Sequence, residues 1–127
     1  MIVVRTEIHE SLPRVTANRV KLQQVMLNLV MNAIDAMASI TRDRILKITS
    51  KLDDNKQVCM TVEDSGTGID SKNTDQIFQS FFTTKAHGMG MGLSICRSIV
   101  EAHNGRLWAS PGNPYGTTFH VLLPTSV

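Results

Sequence analysis

Residues 24–37 read Gln-Val-Met-Leu-Asn-Leu-Val-Met-Asn-Ala-Ile-Asp-Ala-Met, and they impose two patterns on one helix. Leu22, Val25, Met26, Leu29, Val30, Ile34 and Met37 recur at the spacing of an amphipathic α-helix that turns one face to a core. Asn28, Asn32 and Asp35 fall, at about 100° per residue, within a narrow arc of the same helix, with Gln24 beside them. Asparagine is a mediocre helix former, and a polar stripe is ordinarily a solvated face. Amides aligned along the edge of a core-facing helix also suit a hard cation. An amide oxygen binds Mg²⁺ without adding negative charge beside a polyanionic ligand. The stripe alone leaves both readings open.

A chain of 127 residues with 42% hydrophobic content can form one domain with a substantial core. Its net charge is only +2 and its basic residues are scattered, so nothing suggests nucleic acid as a partner. No apolar run approaches the roughly 20 residues of a bilayer span, and the N-terminus has no signal-peptide pattern. Cys59 and Cys96 stand in apolar patterns without metal-ligand or redox spacing, which predicts buried, reduced thiols in a cytoplasmic setting. His9, His87, His103 and His120 are dispersed and form no metal cluster.

Along the chain, residues 2–8 read as a strand and Ser11-Leu12-Pro13 as a turn. A helix is predicted over 19–39, with Asn18 as its N-cap. Residues 44–50 and 57–63 read as strands paired through a tight turn at Asp53-Asp54-Asn55, with Leu46, Ile48, Val58, Met60 and Val62 facing inward. A long irregular region precedes a second helix over 92–103, which ends at Asn104-Gly105. Residues 106–110 and 117–123 complete the pattern as two strands. Segregated helices and mostly antiparallel strands indicate an α+β two-layer sandwich.

Three further motifs carry chemistry. In Asp64-Ser-Gly66-Thr-Gly68 the glycines allow a tight turn and close approach to a ligand. Asp64, at a strand end, suits an exocyclic amine such as that of adenine, although an ordinary Asp-Gly turn has the same composition. In Gly88-Met-Gly90-Met-Gly92-Leu93 the backbone N–H groups of a glycine-rich stretch and a helix N-terminus can cradle phosphates, or the stretch can serve as a hinge. Leu93 stands where the dinucleotide fingerprint needs glycine, and no Walker lysine-serine pair is present. Between these motifs, Phe78, Phe81 and Phe82 can anchor the long loop to the core or offer a lid surface to a partner. Thr84 and Lys85 can reach phosphate oxygens. At Gly116-Thr117-Thr118-Phe119 the Thr117 hydroxyl can bond a purine or a bound water, but a β-branched strand residue needs no such role.

In this order and spacing the motifs resemble the catalytic, ATP-binding domain of sensor histidine kinases, within the superfamily of gyrase, Hsp90, histidine kinases and MutL. The resemblance covers nearly the whole chain, as one catalytic and ATP-binding domain over residues 1–127 with a lid over about 71–90. It implies a Bergerat-type fold, a mixed, mostly antiparallel sheet backed by helices, with nucleotide held between helices and lid. Asn28-x-x-x-Asn32-Ala33 matches the N box, where Asn32 would bind Mg²⁺ and act in catalysis, and Asn28 would lie near the phosphates. Asp35, the third member of the stripe, is carried along as a candidate nucleotide contact. Asp64 with Gly66 and Gly68 matches the G1 box that reads the adenine amine. Residues 78–82 resemble the F box of the lid, with Thr84 and Lys85 beside it. Gly88, Gly90 and Gly92, followed by Leu93, match the G2 box that contacts phosphates. Gly116-Thr117 resembles the last conserved element beside the adenine.

The superfamily's ATPases carry a glutamate four residues before the metal-binding asparagine, where it activates water. Asn28 occupies that position here and cannot accept a proton as a general base. The resemblance therefore implies phosphoryl transfer from ATP to a histidine on a dimerising helical hairpin outside this chain, with a response regulator downstream. The alternatives are a nucleotide-sensing module without transfer, or an ATPase or serine kinase of the same superfamily. His9-Glu10-Ser11-Leu12-Pro13 approximates the phosphoacceptor motif His-Glu-x-x-x-Pro. Its proline comes one residue early and the segment reads as strand and turn, so it is not taken as the acceptor. The expectation is a catalytic domain from a larger sensor kinase whose parent can be membrane-anchored.

Overall fold

Strict alternation in residues 117–123 builds an interior strand of the sheet. Thr117, Phe119, Val121 and Leu123 are buried, while Thr118, His120 and Leu122 face the other way. A computed structural model describes residues 2–8, 18–53, 56–67, 78, 92–112 and 115–124. It contains β1 (Ile2–Ile8), α1 (Arg19–Met37), β2 (Arg44–Leu52), β3 (Val58–Asp64), α2 (Gly92–Ala102), β4 (Arg106–Pro111) and β5 (Thr117–Leu123). The sheet order is β1-β2-β3-β5-β4. β1 runs parallel to β2, and every other neighbouring pair is antiparallel. The α+β sandwich with a mixed, mostly antiparallel sheet is therefore the observed architecture.

Helix α1 starts where the sequence places it. The Asn18 side chain accepts a hydrogen bond from the Lys21 backbone N–H at 3.0 Å, satisfying one of the donors a helix start leaves unpaired. Asn18→Ala is expected to cost about 1 kcal/mol of stability, measurable as a shift in denaturant midpoint at constant slope. The helix ends two residues before the predicted Ser39. The Ala38 N–H turns back to the Asp35 carbonyl, a tighter bond than the α-helical one, and Ile40 then folds inward. Val25, Leu29, Ala33 and Met37, each four residues apart, form the buried stripe.

The stripe packs on α2 through Cys96 and Val100, and on the inner face of the sheet through Leu46, Val62, Leu107, Phe119 and Val121. α2 stops at Ala102, one residue short of expectation. Asn104 takes the left-handed conformation (φ 60°), and the Gly105 N–H returns to the Val100 carbonyl at 2.9 Å. β2 runs two residues further than predicted because Lys51 and Leu52 pair with Cys59 and Val58. β3 is displaced by one residue at each end, and β4 takes in Pro111, tolerated on an edge strand.

Cys96 is fully buried, as expected, and among the described residues both cysteines are free thiols. Cys59 is only half-buried, because its place in β3 points it to the face away from the helices. On that face the Trp108 and His120 rings stack at 4.8 Å, and His120 Nε2 shares a hydrogen bond with Ser110 Oγ at 2.8 Å. Burial pushes the imidazole below its ordinary value. No helix among the described residues is long and apolar enough to cross a membrane.

Candidate functional site

The inner end of β3 delivers Asp64 into the sheet interior, between Leu46 of β2 and Thr117 of β5. Its side chain is 4% exposed, and Oδ1 accepts a hydrogen bond from the Gly66 N–H at 2.8 Å. Burial raises the carboxyl's pKa above its ordinary 3.8. The backbone N–H groups of Gly66 and Thr117 oppose that rise, and the neighbouring Glu63 charge adds to it. A buried carboxylate held by backbone N–H groups is a fixed acceptor with lone pairs beyond those two donors.

Glycine is required at two places around this carboxylate. Gly66 lies against the Ala36 carbonyl of α1, and an added Cβ would collide there and stand 2.9 Å from the Ala36 side chain. The next residue, Thr67, donates its N–H to the same carbonyl at 3.2 Å. Gly116 has φ +93°, and a Cβ would run into the Asp64 carbonyl. Thr117 is buried, on the same face as its cross-strand partner Asp64, so the two side chains are neighbours.

Ala36 ties this loop to the amide stripe. Asn32 and Asn28 lie one and two helical turns before Ala36 on the same side of α1, steps of about 6 Å along the axis. Both are half-buried, and Asp35 is exposed. Asn28 Nδ2 donates to Cys96 Sγ of α2 at 3.5 Å, and the Cys96 thiol faces the Val25 carbonyl. With the Asn18 N–H donating to His103 Nε2 at the other end of α2, that contact sets the two helices antiparallel, so the first turn of α2, with Gly92 and Leu93, lies toward the Asn32 end of the stripe. Leu93 packs on the core, whereas Gly92 is exposed, with nothing among the described residues within 4 Å of an added Cβ. Carboxylate, metal-suited amide and helix N-terminus thus gather toward the C-terminal half of α1.

Phe78 meets Phe119 edge-on at 6.2 Å and lies under the Arg97 guanidinium, so it anchors to the core rather than presenting a surface. The remaining expectations fall outside the described residues: Gly68, Thr84, Lys85, Gly88 and Gly90, Phe81 and Phe82, His9 and His87, the turns at 11–13 and 54–55, and the lid over 71–90 apart from Phe78. Sequence reasoning missed the site contacts of Ala36 and Cys96, which join segments distant in sequence.

An α+β sandwich with this carboxylate, glycine and amide arrangement is the ATP-binding domain architecture of histidine kinases. A family model described as histidine kinase-, DNA gyrase B-, and HSP90-like ATPase matches residues 17–127, and the chain belongs to that family. Within it the chain is a catalytic domain of the sensor histidine kinase type. It is 47% identical over 113 residues to the sensor protein FixL of Bradyrhizobium diazoefficiens, covering 88% of this chain and 22% of that protein. It is 40% identical over 121 residues to the signal transduction histidine-protein kinase AtoS of Escherichia coli, covering 94% of this chain and 19% of that protein. Among solved structures, the catalytic domain of histidine kinase ThkA in a nucleotide-free form superposes with a TM-score of 0.81 at 36% identity, covering 98% of this chain and 79% of that one. ThkA in complex with the response regulator protein TrrA matches with the same TM-score at 37% identity, covering 98% of this chain and 34% of that one. The chain spans about a fifth of the length of these curated relatives.

Proposed function

We propose that this domain binds ATP with Mg²⁺ and transfers the γ-phosphoryl group to a histidine on a dimerising hairpin outside the chain, as a cytoplasmic part of a two-component system. The observation that carries this reading is the seating of the Asp64 loop on Ala36, in line with Asn32 and Asn28 on α1. Asp64 would accept the adenine amine, with Thr117 beside it. Gly66, and Gly68 after it, would let the backbone approach the base. Asn32 supplies a neutral, hard oxygen of the kind Mg²⁺ prefers, and its half-buried position on a rigid helix fits that ion. Bound there, the ion would neutralise charge on the triphosphate. The α2 start with Gly92 and Leu93, together with Gly88, Gly90, Thr84 and Lys85, would hold the phosphates, Lys85 offsetting charge during transfer. Asn28 would border the phosphates and Asp35 the rim of the site.

Phosphoryl transfer of this kind is mainly positioning and charge neutralisation, and the nucleophile would come from the partner hairpin. Hydrolysis is disfavoured at Asn28, an amide with no basic lone pair whose nitrogen is engaged by Cys96. The response regulator acting downstream is proposed by analogy with ThkA, which was solved with one. Calorimetric titration with ATP, with and without Mg²⁺, and label transfer to the parent kinase's hairpin supplied in trans test the reading. Metal-dependent binding with transfer is expected. Steady phosphate release without transfer would favour the ATPase alternative, and binding with neither would favour the sensing module.

A further inference from the structure

The loop that presents Asp64 is fastened from outside by one arginine. Arg42 lies in the connection between α1 and β2, and its Nη2 donates to the carbonyls of Ser65 at 2.9 Å and Gly66 at 2.6 Å. The same guanidinium lies over the Tyr115 ring, with Cζ 3.9 Å from the ring centroid. Tyr115 immediately precedes Gly116, which abuts the Asp64 carbonyl, and Thr117, whose N–H supports the Asp64 carboxylate. One side chain therefore joins the two segments that flank the carboxylate, the turn after β3 and the turn before β5.

Neighbouring contacts reinforce the clamp from the same connection. Ser65 Oγ donates to the Asp43 carbonyl and accepts from the Ile45 N–H, both at 2.8 Å. Without Arg42, the Ser65 and Gly66 carbonyls would turn to solvent, and the Gly66 N–H could rotate away from Asp64 Oδ1 with them. Lysine could keep the charge and a donor but not the planar guanidinium over the ring.

We propose that Arg42 is a positioning residue for base recognition: by clamping Ser65, Gly66 and Tyr115 it sets the orientation in which Asp64 meets the exocyclic amine. This rests on the adenine reading of Asp64 given above. A merely structural role would weaken binding of all nucleotides alike, or only lower the unfolding temperature. A positioning role would act on the group that distinguishes adenine from hypoxanthine, which has a carbonyl where adenine has the amine.

The test compares Mg²⁺-ATP with Mg²⁺-ITP binding by calorimetry in the wild-type chain and in Arg42→Met, Arg42→Lys, Tyr115→Leu and Asp64→Asn. Arg42→Met is expected to lower ATP affinity about tenfold, the scale of one weakened charge-assisted hydrogen bond, and to leave ITP affinity unchanged. Arg42→Lys and Tyr115→Leu should fall between it and wild type, and amide exchange should quicken at Gly66 and Thr67 ahead of the core. An unchanged ATP-to-ITP ratio in Arg42→Met would overturn the proposal even if the unfolding temperature dropped. If Arg42→Met fails to fold, an unchanged ratio in both Arg42→Lys and Tyr115→Leu has the same force. Equal affinity of wild type for both nucleotides would overturn the adenine reading and this inference together. Discrimination lost in Asp64→Asn but kept in the Arg42 variants would overturn this inference alone.

Discussion

Asp64→Asn is expected to lower ATP affinity about a hundredfold, the scale of a buried charge-assisted hydrogen bond replaced by a mismatched donor. The carboxylate already accepts from Gly66, and its geometry leaves it an acceptor for an amine. An asparagine side chain is nearly isosteric but has only one acceptor oxygen, so either Gly66 or the incoming amine would meet an N–H₂ group. The nucleotide-free fold should survive, because the substitution removes a buried charge while keeping the shape. The pH dependence has a definite sign. Burial raises the folded-state pKa of Asp64 above 3.8, so its contribution to stability is fully present below that value and is lost as pH rises through the raised one. Comparing unfolding of wild type and variant across the acid range should show wild type losing relative stability with rising pH. ATP affinity should move the opposite way, falling as acid protonates the acceptor. Unchanged affinity in the variant would contradict the proposed role.

Asn32→Ala is expected to reduce phosphoryl transfer on the order of a thousandfold, since a metal bound at the triphosphate is worth several kcal/mol of charge stabilisation. Alanine is the better helix former by a few tenths of a kcal/mol, so the unfolding temperature should stay level or rise slightly. That separation of activity from stability is the useful part of the result. Single-turnover label transfer to the hairpin, repeated over a Mg²⁺ series, would measure it. Loss of transfer with stability preserved supports a metal-binding amide on a solvent-facing edge. Transfer at the wild-type rate would mean that the amides are only the polar face of α1.

Periodicity and turn chemistry made the scaffold legible. Leu22 to Met37 announced a core-facing helix, and alternation at 44–50, 57–63 and 117–123 announced strands whose bounds shifted by only a residue or two. Asn18 and Asn104 were readable as caps because their roles are local. Asp64, Gly66 and Thr117, which the family resemblance groups around the adenine, lie together because β3 and β5 pair in register there and the Gly66 N–H turns back to Asp64.

What sequence alone determined is thus each element's type, the inward faces of α1, β2 and β3 and the candidate polar residues, since these follow from patterns a few residues long. The tertiary structure alone decided the parallel pairing of β1 with β2, the seating of Gly66 on Ala36, the Asn28–Cys96 contact and the reach of Arg42 to Ser65, Gly66 and Tyr115. The physical reason is the same in each case. Those contacts join residues brought together only when helices and sheet bury a common core, and they leave no local period in the chain.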